Sequence, residues 1–91
     1  MKIYTITGFK NNHKNHRCFG FYCDLESAVD AVESNSGNFD EAGYYNYLLI
    51  EEVSEGVWQL TSNIHWYKWN DGWELIERPK WARGLCNFSI G

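Results

Sequence analysis

Hydrophobic and polar positions change period several times along the chain, and each change marks an element. Residues 2–9 alternate, with β-branched and aromatic side chains throughout, which predicts a strand. Residues 10–16, Lys-Asn-Asn-His-Lys-Asn-His, are wholly polar and predict a loop. Residues 17–23 predict a second strand that forms a hairpin with the first, with Gly20 at a bulge or a close approach. At Asp24 the period becomes helical. Leu25, Ala28, Val29 and Val32 recur at i, i+3, i+4 and i+7 and make one apolar stripe, while Glu26, Asp30 and Glu33 point away from it. Asp24 is a good N-cap because its carboxylate accepts the free amides of the first turn. Asn35 and Gly37 supply the stop. A helix over about residues 24–34 follows, then a connector at 38–43.

Residues 44–53, Tyr-Tyr-Asn-Tyr-Leu-Leu-Ile-Glu-Glu-Val, form the strongest strand pattern. A three-residue loop at 54–56, with Gly56 in the left-handed conformation, sets a strand at 57–61 back against it, Val53 opposite Val57 and Ile50 opposite Leu60. The same loop over Asn70-Asp71-Gly72 pairs Trp69 with Trp73, Lys68 with Glu74, Tyr67 with Leu75 and Trp66 with Ile76, all chemically sensible partners. A two-residue loop would instead oppose Trp69 and Glu74. Pro79 ends the last of these strands because it has no amide to donate, and residues 87–90 offer a short edge strand. The fold class predicted is α+β: a small antiparallel sheet with one helix packed on one face, in the order β-β-α-β-β-β-β, as one domain spanning 1–91. On this register Tyr45, Tyr47, Leu49, Val53, Val57, Tyr67, Trp69, Trp73 and Leu75 share one face. Leu48, Ile50, Trp58, Leu60, Trp66 and Ile76 share the other.

Composition adds a constraint. The 91 residues are 44% hydrophobic and 22% charged, too apolar and aromatic for disorder. A chain this short buries only roughly 60–65% of the surface its unfolded form exposes. No run approaches the ~18 apolar residues of a membrane span, and Met1-Lys2-Ile3-Tyr4-Thr5-Ile6 reads as a strand and not as a signal peptide. The expected location is cytoplasmic, without membrane association. Three cysteines, Cys18, Cys23 and Cys86, suit no disulfide framework and are expected to be reduced and mostly packed. The net charge of −4 hides a block pattern. Residues 1–23 carry four bases and no acid, and residues 24–55 carry nine acids and no base. Such asymmetry steers partners, but an acidic chain argues against long duplex nucleic acid, which needs many phosphate contacts.

Motifs for catalysis are missing: no Gly-x-Ser-x-Gly, no phosphate-binding Gly-x-x-x-x-Gly-Lys and no Gly-x-Gly-x-x-Gly. Glu51 and Glu52 point to opposite faces of a strand and read as a solvated edge, not a catalytic dyad. His13, His16, Cys18 and Cys23 are the right types for zinc. Their spacing on a predicted strand turns the two cysteines apart, and no carboxylate stands near to orient a histidine. No enzyme activity, cofactor or metal is therefore expected. Two features remain. Sixteen residues are aromatic, and all five tryptophans lie after residue 57. One helix covers one sheet face, so Trp58, Trp66, Tyr67, Trp69 and Trp73 are candidates for a surface that meets a partner, as well as for filling a thin core. The second feature is the basic loop 10–17, where Lys10, His13, Lys14 and Arg17, with Trp81 as a stacking aromatic, form a candidate site for a small anion such as a nucleotide.

Cys18-Phe19-Gly20-Phe21-Tyr22 followed by Asp24-Leu25-Glu26, with Tyr47-Leu48-Leu49-Ile50-Glu51-Glu52 and Trp66-Tyr67-Lys68-Trp69, resembles an uncharacterised family of short bacterial and phage proteins. The resemblance spans most of the chain. It implies no activity and carries over no functional residue. The expected function is a non-enzymatic protein-interaction module that uses an aromatic sheet face or the acidic helix face, with another protein or a second copy of itself as partner. The alternative is the small anionic ligand at the basic loop.

Overall fold

A computed structural model describes residues 2–10, 16–41, 44–56 and 64–82. Five strands form one antiparallel sheet: β1 (Lys2–Phe9), β2 (His16–Tyr22), β3 (Tyr47–Ser54), β4 (Ile64–Trp69) and β5 (Trp73–Ile76), in the spatial order β2-β1-β3-β4-β5. One helix, α1 (Leu25–Glu33), packs on one face. The α+β class and the order of strands and helix agree with the pattern in the sequence. The strands expected at 57–61 and 87–90 lie outside the described residues.

Helix α1 begins and ends where its side chains dictate. Asp24 is its N-cap: Ser27 N donates to Asp24 Oδ1 at 2.7 Å and Ser27 Oγ to Oδ2 at 3.0 Å. At the other end Asn35 turns left-handed at φ 51°. Its amide donates to Val32 O at 3.0 Å and the Ser36 amide to Ala31 O at 3.1 Å, the paired bonds of a Schellman stop. Asn35, and not Gly37, takes the left-handed position. The stripe buries Ala28, Ala31 and Val32, with Leu25 and Val29 half-buried on its flanks.

The Asn35 side chain then ties three segments together. Its Oδ1 accepts from Phe39 N at 2.9 Å and from Trp73 Nε1 at 3.1 Å, and its Nδ2 donates to Asp40 Oδ1 at 3.0 Å. The end of the helix, the connector and the last hairpin meet at one amide group.

The last hairpin has the register read from its turn. Trp69 faces Trp73, Lys68 faces Glu74, Tyr67 faces Leu75 and Trp66 faces Ile76. The turn Asn70-Asp71-Gly72 closes with Asp71 at φ 56° and Asn70 N donating to Gly72 O at 2.8 Å. The hairpin β1–β2 also forms. Its register slips between Ile6 and Thr7, leaving Phe19 as the extra residue of a bulge beside Gly20. Phe19 turns to the helix side, where the absent side chain of Gly8 makes room: a Cβ there would lie 2.8 Å from the Phe19 ring.

The pairing of β3 corrects the predicted sheet. Ile50 lies between Ile6 of β1 and His65 of β4, so no edge remains for the expected Ile50–Leu60 pair. Direct pairing of β3 with β4 also reverses the phase of the faces. Leu48 is opposite Tyr67 and Leu49 opposite Trp66. Leu48 and Ile50 therefore join Ile6, Val32, Phe39, Tyr67 and Trp73 beneath the helix. Leu49 joins Phe9, Trp66 and Ala82 on the second face. A one-residue change of phase moves every side chain of a strand to the other side. Glu51, expected at a solvated edge, is buried. Glu52 pairs with Lys2 at 3.0 Å.

The central position of Val32 in the core sets the cost of charging it. Val32→Asp is expected to destabilise the fold by roughly 3–5 kcal/mol, and Val29→Asp, on the half-buried flank, by clearly less. Chemical denaturation of both variants checks this; equal losses would place the helix in another rotation. Asn35→Ala is expected to cost about 2–4 kcal/mol, because it leaves a tryptophan N–H and an amide without their acceptor and strains a left-handed residue. Asn35→Gly relieves the strain alone, so its loss is smaller. A wild-type midpoint for Asn35→Ala would sink the role of the amide.

Candidate functional site

Three of the five aromatic residues expected to form an interaction surface are core residues. Trp66, Tyr67 and Trp73 are 2%, 3% and 8% exposed. Trp69 is half-buried and packs edge-on against Trp73 at 5.0 Å between centroids. Trp58 lies outside the described residues. Both sheet faces are covered: α1 lies over Tyr67 and Trp73, and the second face, which holds Trp66, has a cover of its own. A single turn of 3₁₀ helix, Lys80–Ala82, lies on it and buries Ala82.

Trp81 belongs to the same cluster. Its ring meets Phe9 at 5.7 Å, Tyr47 at 5.4 Å and Trp66 at 5.5 Å. Phe9 also stacks on His16 at 5.6 Å and 27°. The fold thus does bring Trp81 close to the base of the basic loop, with Phe9 between them. The rings it meets are the chain's own.

The cations of the loop's two ends are likewise engaged. Lys10 Nζ stands 3.9 Å over the Tyr44 ring. Arg17 Nη1 donates to Glu41 Oε2 at 2.8 Å, and its guanidinium lies 5.1 Å from the Phe19 centroid. Glu41 is itself left-handed, at φ 45°. These contacts fasten the open end of the first hairpin to the connector after α1. His13 and Lys14 lie outside the described residues, so the anion site as a whole is not assembled among those that are described.

Burial raises the Tyr45 hydroxyl above the ordinary tyrosine range, assisted by Glu41 and Tyr44 and opposed by Arg17. Burial raises Tyr67 too, with Glu33 adding to it. Among the described residues no group of three or more His, Cys, Asp or Glu could hold a metal ion. No helix among them is long and apolar enough to cross a membrane.

The surface that the sequence does not reveal is the outer edge of the sheet. β2 is an outermost strand, and among the described residues no strand pairs with its far side. It exposes Phe21 at 57% and Tyr22 at 37%. Cys18 and the following Cys23 are free and exposed, contrary to the expected packing; Cys86 lies outside the described residues. Beside the strand runs an open cleft of about 280 Å³. Ile6, Phe19 and Phe39 line it from the core, and Phe21 and Tyr22 from the edge. Gly20 and Gly37 leave its walls low. Apart from the Tyr22 hydroxyl, no lining side chain is an acid, a base or a nucleophile, so the cleft suits an apolar side chain and not proton transfer. The acidic side of α1, with Glu26, Asp30 and Glu33 exposed as expected, lies on the same side of the sheet.

The second outer strand, β5, exposes Leu75 at 66% but is only four residues long. No family model, curated protein or solved structure matches the chain.

The raised tyrosines give a pH dependence with a definite sign. An unfolded tyrosine loses its proton near pH ~10, whereas Tyr45 and Tyr67 keep theirs to higher pH when folded. Their contribution is fully present below the unfolded value and is lost as pH rises toward the folded ones. Stability measured by denaturant should fall between about pH 9 and 11, and the fall should be shallower in Tyr67→Phe. An unchanged slope in that variant would refute the assignment.

Proposed function

We propose that this chain is a non-enzymatic protein-interaction module whose docking surface is the outer edge of β2 together with the cleft beside it. The observation that carries the reading is the coincidence of three features on one strand. These are a sheet edge with no partner strand among the described residues, exposed Phe21 and Tyr22 on its two faces, and an apolar cleft beside it on the Tyr22 side. An extended segment added to a sheet edge gains affinity from main-chain hydrogen bonds and specificity from a pocket for one of its side chains. The edge supplies the first and the cleft the second.

This moves the interaction surface from the aromatic sheet face, which is packed, to the strand edge. The acidic side of α1 remains as a flank that selects for basic residues in a partner. Two exposed free thiols suit a reducing compartment, which supports the cytoplasm as the place of action. The small-anion reading has less support, because Lys10 and Arg17 already hold partners within the chain.

Selection from a displayed library of random peptides tests the reading. Bound peptides should carry an extended, apolar centre, and their affinity should fall by about tenfold or more in Phe21→Lys, which plants a charge on the edge. Peptides that bind Phe21→Lys as well as the parent would move the docking surface elsewhere.

A further inference from the structure

The sequence changes sign at β2. Every charge before Asp24 is positive and every charge from Asp24 to Glu55 is negative. Strand β2 straddles that boundary: Arg17 stands near its start, and Asp24 and Glu26 follow its end. A strand with opposite charges at its two ends is complementary to itself when reversed.

We propose that the edge of β2 pairs with the same edge of a second copy of this chain, antiparallel about a twofold axis at Phe21. The inference rests on the reading of this edge as the docking surface and names its partner. A twofold axis makes the contact isologous, so each feature below occurs twice.

Side-chain size selects the axis. An antiparallel twofold at Phe21 sets Tyr22 of one copy opposite Gly20 of the other. Both residues belong to the helix side of the sheet, since Gly20 is opposite Ile6 and Tyr22 opposite Tyr4. A Cβ built on Gly20 meets nothing within 4 Å, and Gly20 borders the cleft. Tyr22 of the second copy fills that space, the pairing in which an aromatic ring covers a strand glycine. An axis at Gly20 would instead set glycine against glycine and leave both spaces open.

Charge agrees with the same arrangement. Reversal carries the Arg17 end of each copy to the Asp24–Glu26 end of the other. Arg17 keeps its bond to Glu41 and still has donors to offer, because a guanidinium carries five N–H groups. A parallel arrangement would set Arg17 beside Arg17. The bulge at Phe19 ends the regular edge on one side and the start of α1 ends it on the other, so the shared ladder is short. The dimer is therefore weak and sensitive to salt.

Sedimentation velocity of the full chain over rising concentration, at low and high salt, tests the proposal. The expected result is a monomer–dimer equilibrium that weakens with salt. Arg17→Glu and Glu26→Arg should each weaken it by about tenfold, through two symmetry-related pairs. The double variant should return toward the parent, which also shows that both substitutions leave the fold intact. Phe21→Lys should abolish the dimer, and amides of residues 20–22 should gain hydrogen-exchange protection as concentration rises. A dimer indifferent to Phe21→Lys and to the charge variants overturns the proposal. So does a monomer at every concentration. A monomer that binds selected peptides through Phe21 removes self-pairing but leaves the docking edge; a monomer without such peptides removes both.

Discussion

Strand β3 is paired along both edges, and the rest of the structure depends on that. Its partners β1 and β4 hold it at the centre of the sheet, with Ile50 between Ile6 and His65. It is also covered on both faces, with Leu48 and Ile50 in the core beneath the helix and Leu49 in the second cluster, and its sequence reads as a near-continuous apolar run, Tyr47-Leu48-Leu49-Ile50. One nine-residue helix covers one face. The other face must find cover from the chain itself, which is why Trp66, Phe9 and Trp81 gather there against Tyr47 and Ala82. The abundance of aromatic side chains follows from the same constraint. A small domain with two faces to fill uses its largest residues to do so.

Asn35 links the helix to that sheet. A left-handed asparagine ends α1, and its amide holds the connector through Phe39 and Asp40 and the last hairpin through Trp73. Glycine could adopt the same backbone angle but would supply no acceptor for the indole. The amide therefore couples the stop of the helix to its docking on β5. The ion pair of Arg17 with Glu41 and the contact of Lys10 with Tyr44 fasten the first hairpin to the same connector. The connector is thus a hub, though its described residues form no regular element.

These attachments leave β2 at the margin of the sheet. Its inner edge bonds β1, its helix side carries Phe19 into the core, and Phe21 and Tyr22 remain outside. Natural sheets blunt such edges with bulges and charges. Here the bulge is present, yet the residues after it are a glycine and two aromatics. The proposed docking role rests on an edge left this apolar beside an open cleft.

Local chemistry was enough to determine several parts from the sequence: the Asp24 cap, the stripe through Val32, and the register of Trp66–Ile76 around Asn70-Asp71-Gly72. In each case the deciding interaction spans only a few residues, so period and turn type suffice. The α+β class followed from the order of those elements. Nonlocal pairing decided the rest. Whether Leu48 or Leu49 faces the helix depends on which strand lies beside β3, and β1 and β4 are far apart in the sequence. The aromatic residues 66, 67 and 73 look alike as candidates for a core or a surface until that phase is known. Exposure of Phe21 was likewise illegible. The pattern of β2 does not show whether a strand lies beside it, and only the position of β2 outside β1 leaves its far side without a neighbouring strand among the described residues. The sign change at residue 24 stands in the sequence, but only the fold lays it along a sheet edge, where reversal makes it complementary to itself.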